Sequence, residues 1–565
     1  MSLVVSARRA RAVLPAGAAA FALALAAPAV AQTGEPSTKE LLEQIRLLQK
    51  RIEQLESAEK QRQAVATNPT AASRQPASGR MLPGQPSPAS AVSATPVTTT
   101  AVPSPAAPAG AVAGGAAPGD DGTAPSAGDP GKPWDGSFMM GSVRLTLGGY
   151  IDLTGYFRSR NENRGTGTGY NAIPFDGPTP QGNSAELGLS AQQTRLALKV
   201  EALVGDDARI TAYGEMDFNN GAGGANSVQS NSYTPRLRQA WGSYEDKSWQ
   251  AYFLAGQAWT LATPFKKGLD PLGTWQPPTI DHNYMVGYTY LRVPMVRAVK
   301  GFDNFWAGIE INTPQTVFGG TAAVPAGQSV FTGYSGATGL NPQINYSVNV
   351  APDVVAKLAV DTRFGHFDVF GVARWFRDQV TFGTTSVNYD AFGGGLGASA
   401  FVPIGPWVDL MGNFTYGSGI GRYGAAGLPD VTFLPNGGVT TLPQGMGTVG
   451  AVIHAIPKVL DLYGFYGWNW VGASYFPGGG YGNPTFNNTG CFNPNAGGSN
   501  CAGNTQTLTE ITVGLNWNML RGKFGTLRSG LQYSNILRTA YYGLGGTPSA
   551  AENLVMFNFR YLPFE

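Results

Sequence analysis

Charge is scarce in this chain. Only 13% of its 565 residues are Asp, Glu, Lys or Arg, about half of the roughly 25% found in ordinary soluble domains. The two signs nearly cancel, leaving a formal net charge of +2. That balance excludes the strongly basic domain of a nucleic-acid binder. Histidine and cysteine are rarer still, at three and two residues. His282, His366 and His454 lie far apart in sequence and no H-E-x-x-H or C-x-x-C run occurs, so no metal centre is expected. Gly165–Gly169 and Gly393–Gly397 neither follow a strand nor open a helix, as a phosphate-cradling loop must. With no G-x-S-x-G elbow either, neither a cofactor nor an enzyme is expected. Long apolar runs are also missing, and a mean hydropathy of −0.11 argues against a helical membrane bundle.

Glycine, at 77 residues, and aromatics, at 11%, are in excess. The N terminus carries Arg8, Arg9 and Arg11, an apolar stretch from Val13 to Ala27, and the small-x-small pattern Ala29-Val30-Ala31. This predicts a signal peptide over 1–31 and an exported protein. Without its three arginines the balance becomes −1.

Residues 32–63 predict a periplasmic coiled-coil helix. Leu41, Ile45, Leu48, Ile52 and Leu55 follow an a/d spacing, behind a capping box formed by Ser37 and Glu40. An isolated helix of this length is marginal in water, so the seam calls for self-association. Ile at a with Leu at d favours two strands. One amphipathic helix packed on its own domain is the alternative. Residues 64–135, rich in Pro, Ala, Ser and Thr, predict a disordered linker without chemistry of its own.

The remainder, 136–565, reads as an all-β, 16-stranded antiparallel transmembrane barrel. Over Val143–Arg158 apolar and polar residues alternate for sixteen positions, long for a globular strand but suited to a tilted membrane strand. The pattern recurs over Gln193–Ala202, Arg209–Phe218, Pro235–Tyr244, Trp249–Ala258, Tyr288–Val299, Asn304–Thr313 and Asp353–Asp361. It continues over His366–Arg377, Tyr389–Val402, Trp407–Tyr416, Thr448–Ile456, Val459–Val471, Thr507–Trp517, Leu527–Leu537 and Glu552–Phe564. Short turns inside couplets and long stretches between them match the asymmetry of outer-membrane barrels. A secreted β-sandwich or β-helix would explain alternation but not that asymmetry.

Sixteen strands leave an aqueous channel. The inward phase then holds Arg144, Arg158, Arg195, Arg236, Arg238, Arg292, Arg374, Arg528 and Arg560, opposed by Asp152, Glu201, Glu215, Asp217 and Glu310. Arginines at a constriction favour anions; alternatively they pair with those acids and stiffen the wall. The connector from Trp259 to Met285 is a candidate for a loop folded into the pore, and an ordinary surface loop is the competing reading. Cys491 and Cys501, within one loop of an exported protein, are expected to form a disulfide.

The chain resembles the DcaP-like family of outer-membrane porins. The resemblance lies in the order of leader, coil, linker and barrel. It also lies in the runs Ser190-Ala-Gln-Gln-Thr-Arg195, Pro235-Arg-Leu-Arg-Gln-Ala240, Gly256-Gln-Ala-Trp-Thr260, Arg292-Val-Pro-Met-Val-Arg297 and Phe559-Arg-Tyr-Leu-Pro-Phe564. It implies a homotrimer embedded in outer-membrane lipid, a coil in the periplasm and uptake of small anions such as dicarboxylates. Carried onto this sequence, the solute-binding positions are Arg195, Arg236, Arg238, Arg292 and Arg297. Arg297 falls on the opposite phase from Arg292, a conflict that a bulge at Pro294 would reconcile. Glu565 after Phe564 departs from the usual aromatic terminus, and the coil's two-strand pattern departs from a trimer. A carbohydrate or general-diffusion porin and an envelope tether, with the coil gripping the cell wall or a periplasmic partner, remain competing readings.

Overall fold

The computed structural model describes residues 136–219, 233–335 and 345–564. The predicted leader, coil and linker lie outside the described residues.

Period-2 alternation dictates a sheet with one apolar and one polar face, and closing that sheet buries its polar face inside. The chain does this with sixteen wall strands. They are β1 (Val143–Arg158), β2 (Arg195–Val204), β3 (Ala208–Asp217), β4 (Arg236–Asp246), β5 (Ala251–Trp259), β6 (Arg292–Phe302), β7 (Phe305–Asn312) and β8 (Asp353–Thr362), then β9 (Gly365–Phe382), β10 (Thr385–Ile404), β11 (Val408–Ser418), β12 (Pro443–Ile456), β13 (Leu460–Val471), β14 (Thr505–Gly522), β15 (Gly525–Ala540) and β16 (Ser549–Leu562). Each pairs antiparallel with its sequence neighbours. The ring closes where Ile151–Arg158 of β1 pairs with Leu554–Tyr561 of β16. Along β16 the alternation is complete: Val555, Phe557, Phe559 and Tyr561 are exposed outward, while Leu554, Met556, Asn558 and Arg560 are buried inward. An exposed apolar exterior of this kind belongs in a bilayer.

One end carries only short turns, such as 205–207, 303–304 and 363–364, together with both ends of the wall. The other carries long connectors: L1 (159–194), L3 (260–291), L6 (419–442) and L7 (472–504).

Two expectations are corrected. The predicted strand Tyr288–Val299 begins only at Arg292, because 288–291 belongs to L3. Tyr288 and Tyr290 imitate strand alternation but pack against Tyr284 inside the lumen. Residues 378–388, expected as a loop, instead prolong β9 and β10 as a projecting hairpin with partners paired out to Phe382 and Thr385. There the outward face is polar. Arg377 pairs with Asp390 at 2.6 Å, Gln379 donates to Asn388 at 3.0 Å, and Thr381 bonds Ser386 at 2.9 Å. Beyond the bilayer the outward side meets water, so the apolar-out signal disappears although the strand continues.

Candidate functional site

Every second residue of a wall strand enters the lumen, so β3 delivers Glu215 and Asp217 there together. Their partners arrive from β4, where a register shift sets Glu215 opposite Gln239 and Met216 opposite Leu237. The extra residue is Arg238, and the bulge turns it inward beside Arg236.

Arg236 grips Asp217 with two bonds, Nε to Oδ1 at 2.9 Å and Nη2 to Oδ2 at 2.7 Å. Arg238 donates from Nη1 to Asp217 Oδ2 at 2.9 Å and from Nε to Glu215. Glu215 also accepts from Tyr213 at 3.0 Å and lies 3.6 Å from Arg195. Arg195 and Arg560 both stack on Tyr150, at 5.2 and 4.0 Å.

Arg292 lies beside Arg236 and Arg238, its guanidinium 4.9 Å from the Trp259 ring centre. Its Nε and Nη1 are buried, and no hydrogen-bond acceptor for them is found among the described residues. Four arginines thus surround two carboxylates. The cluster carries a surplus of two positive charges.

L3 closes over this cluster. It leaves β5 at Thr260, crosses the lumen and returns at Arg292. On the near wall Glu310 of β7 accepts from Leu261 N–H at 2.9 Å and from the Thr260 hydroxyl, and Lys357 of β8 donates to Thr263 O at 2.9 Å. On the far wall Asn413 donates to Gly287 O at 3.0 Å, Thr448 to Val286 O at 3.0 Å, and Asn516 to Pro278 O at 3.1 Å. The carboxylate of Glu510 accepts from Val286 N–H at 2.8 Å. The connector singled out in the sequence therefore folds inward and is held at both sides.

Its tip brings His282 to the arginines. Burial pushes the imidazole down to about 3, with the charges of Arg236 and Arg238 acting in the same direction. His282 is therefore neutral at ordinary pH. Its neighbour Asp281 accepts the backbone N–H of Thr168 in L1, and burial raises its carboxyl above the usual range.

The other predicted positions go elsewhere. Arg297 faces inward and Arg292 takes the other phase at the strand's entry. The register runs unbroken through Pro294, so the expected bulge is not there. Arg297 is fully buried against Glu310, with bonds of 3.0 and 3.2 Å, and donates to Trp259 O, in effect another anchor for L3. Arg374 is tied to Asp353 at 3.0 Å and Asp430 at 2.6 Å on the β8–β9 wall. Arg422 joins that group, making it two arginines with two aspartates. Arg144 lies half-buried at the short-turn end, opposite Glu201 in register. Cys491 and Cys501 are bonded within L7, and Gly177 of L1 donates to Cys491 O at 2.8 Å.

Sequence reasoning missed His282 and the aromatic lining of L3. Trp259, Tyr284 and Tyr290 pack against one another, tilted or edge to face, with ring centres 5.4 to 6.4 Å apart. Tyr284, Tyr288 and Tyr290, closely spaced in a loop, were the available signal.

The fold is similar to that of the outer membrane channel DcaP of Acinetobacter baumannii. The TM-score is 0.51 at 15% identity, over 74% of this chain and 97% of that one. The barrel is also similar to OprB of Pseudomonas putida, with TM-score 0.40 and 11% identity over 74% and 94%. The anion-selective porin from Comamonas acidovorans gives TM-score 0.38 and 11% identity over 74% and 99%. No protein-family model matches the chain, and no curated protein matches it.

Proposed function

We propose that this chain is a passive outer-membrane diffusion channel of the DcaP-like kind for small anionic solutes, dicarboxylates among them. The observation that carries the reading is the charge surplus of the Arg195, Arg236, Arg238 and Arg292 cluster around Glu215 and Asp217. Arg292 above all has buried N–H groups without an acceptor. A guanidinium so placed is a donor waiting for a carboxylate, and the low-dielectric wall concentrates its field. Arg297 and Arg374, each neutralised by carboxylates, stiffen the wall instead.

In this reading the protein is a homotrimer in the outer membrane, and the N-terminal coil projects into the periplasm. The short-turn end would face the periplasm and the long loops the exterior. A solute enters between the loops, exchanges part of its hydration for the cluster's donors, and leaves toward the short turns.

Single-channel recording of the full-length protein in a planar bilayer under a salt gradient tests this. An anion-favouring reversal potential with block by a dicarboxylate is expected. Block by an oligosaccharide alone would transfer the function to carbohydrate uptake, and absence of conductance would leave the barrel as an anchor for the coil.

A further inference from the structure

The outer wall is uneven. Over β14–β16 and β1 its outward positions carry large side chains, among them Trp517, Tyr533, Phe557 and Phe157. Over β5–β9 large outward side chains such as Phe253, Ile309 and Leu358 are interrupted by small ones. Cross-strand pairing sets Tyr244, Phe253, Ala298, Ile309, Ala356, Gly371 and Leu396 on one outward rung. The rung nearer the short turns holds Asp246, Ala251, Lys300, Ala307 and Leu358. Ala298, Ala356 and Gly371, with Ile309 among them and Phe253 and Leu396 at the sides, hollow the wall into a groove of ≈1060 Å³.

Two charges stand on this otherwise apolar face, both at the short-turn end of the groove. Lys300 donates to Gly301 O at 2.9 Å and to Trp249 O, which curls its ammonium over the groove's lower lip. Asp246 accepts from Ser248 at 2.6 Å and from Trp249 N–H at 3.1 Å, both through Oδ1. Trp249, 71% exposed, stands beside them with Phe302 and Phe305, an aromatic group of the kind that marks a membrane–water boundary.

We infer that this groove holds one aminophospholipid of the leaflet at the short-turn end. Its phosphate pairs with Lys300 and its ammonium with Asp246, while its acyl chains lie over Ala298, Ala356 and Gly371. The argument is charge complementarity. A cation and an anion on one rung, with only Ala251 of β5 between them, match the two charges of an ethanolamine headgroup, whereas a purely anionic lipid satisfies only Lys300. The small side chains supply the depth for the tails. This site faces away from the lumen and stands apart from the proposed channel function.

Native mass spectrometry of the full-length protein tests it, with equimolar phosphatidylethanolamine and phosphatidylglycerol of identical chains supplied in mixed micelles. The wild type is expected to retain one phosphatidylethanolamine per chain, at several-fold preference. Asp246→Asn should abolish the preference and leave phosphatidylglycerol bound; Lys300→Ala should lose both. Ala356→Leu fills the groove without touching either charge and should lower retention at least fivefold, with heat-modifiable migration reporting that the barrel is folded. Equal retention in wild type and Ala356→Leu, or no headgroup preference in the wild type, would overturn the inference. So would a disulfide-linked dimer formed by Ala356→Cys in native membranes, since the groove would then be an interface between copies.

Discussion

Replacing Arg292 by glutamine keeps the side chain's length and removes its charge. The cluster then falls from a surplus of two positive charges to one, with no carboxylate stranded, because Arg292 is the member that neither Glu215 nor Asp217 engages. A unit charge about 6 Å from a passing anion is worth about 0.7 kcal/mol at the permittivity of water and about 2.8 kcal/mol at an effective value of 20. Anion partitioning at the constriction should therefore fall by about threefold at the wet limit and up to about a hundredfold at the dry one. The reversal potential under a salt gradient, recorded at low ionic strength where screening is weak, should shift toward zero. Adding Arg236→Gln should bring it close to zero. Arg377→Gln, on the projecting hairpin outside the lumen, should leave it where it was. If Arg292→Gln and the wild type give the same reversal potential, the surplus charge does not set selectivity and the argument fails.

Glu310→Gln removes an acceptor shared by Leu261, Thr260 and Arg297; it should cost about 3–5 kcal/mol as a broken buried pair and make single-channel current flicker. His282 is buried neutral, so its folded value of about 3 lies below the unfolded 6.5. Its contribution is complete above pH 6.5 and is lost as pH falls toward 3. At pH 4.5 the loss should reach about 2.7 kcal/mol, and chemical denaturation should show a smaller pH slope for His282→Asn over that window. Changing both Cys491 and Cys501 to serine opens a ring of sequence separation 10, worth roughly 2–3 kcal/mol. The melting temperature of the double variant should fall to that of the reduced wild type.

All sixteen wall strands were legible in the sequence, because a bilayer outside and water inside impose the same alternation on each. Where either environment changes, legibility ends. On the β9–β10 hairpin the outward side meets water instead of lipid, and the alternating Arg377, Gln379 and Thr381 read as a loop. In L3, Tyr288 and Tyr290 read as a strand because the lumen is locally filled by protein. The arginines themselves were visible, but their division was not. Arg236 and Arg238 share the inward phase as expected, but Arg292 reaches them from the phase opposite Arg297 at the entry of β6, which a simple period-2 count does not contain. Arg297 is neutralised by Glu310, its partner across the β6–β7 hairpin, and Arg374 by Asp353 on the neighbouring strand and Asp430 in L6.

L3 is fastened at both ends of its crossing, to β7 and β8 on one side and to β11, β12 and β14 on the other. Mechanically it is a strut rather than a hinged flap. To swing clear it must release its bonds on opposite walls together, and pulling on one wall loads the other. A graded narrowing of the pore by this loop is therefore unavailable. Closure through L3 would come as an abrupt, all-or-none event coupled to the shape of the whole ring, while fine adjustment of access falls to the outer loops above it.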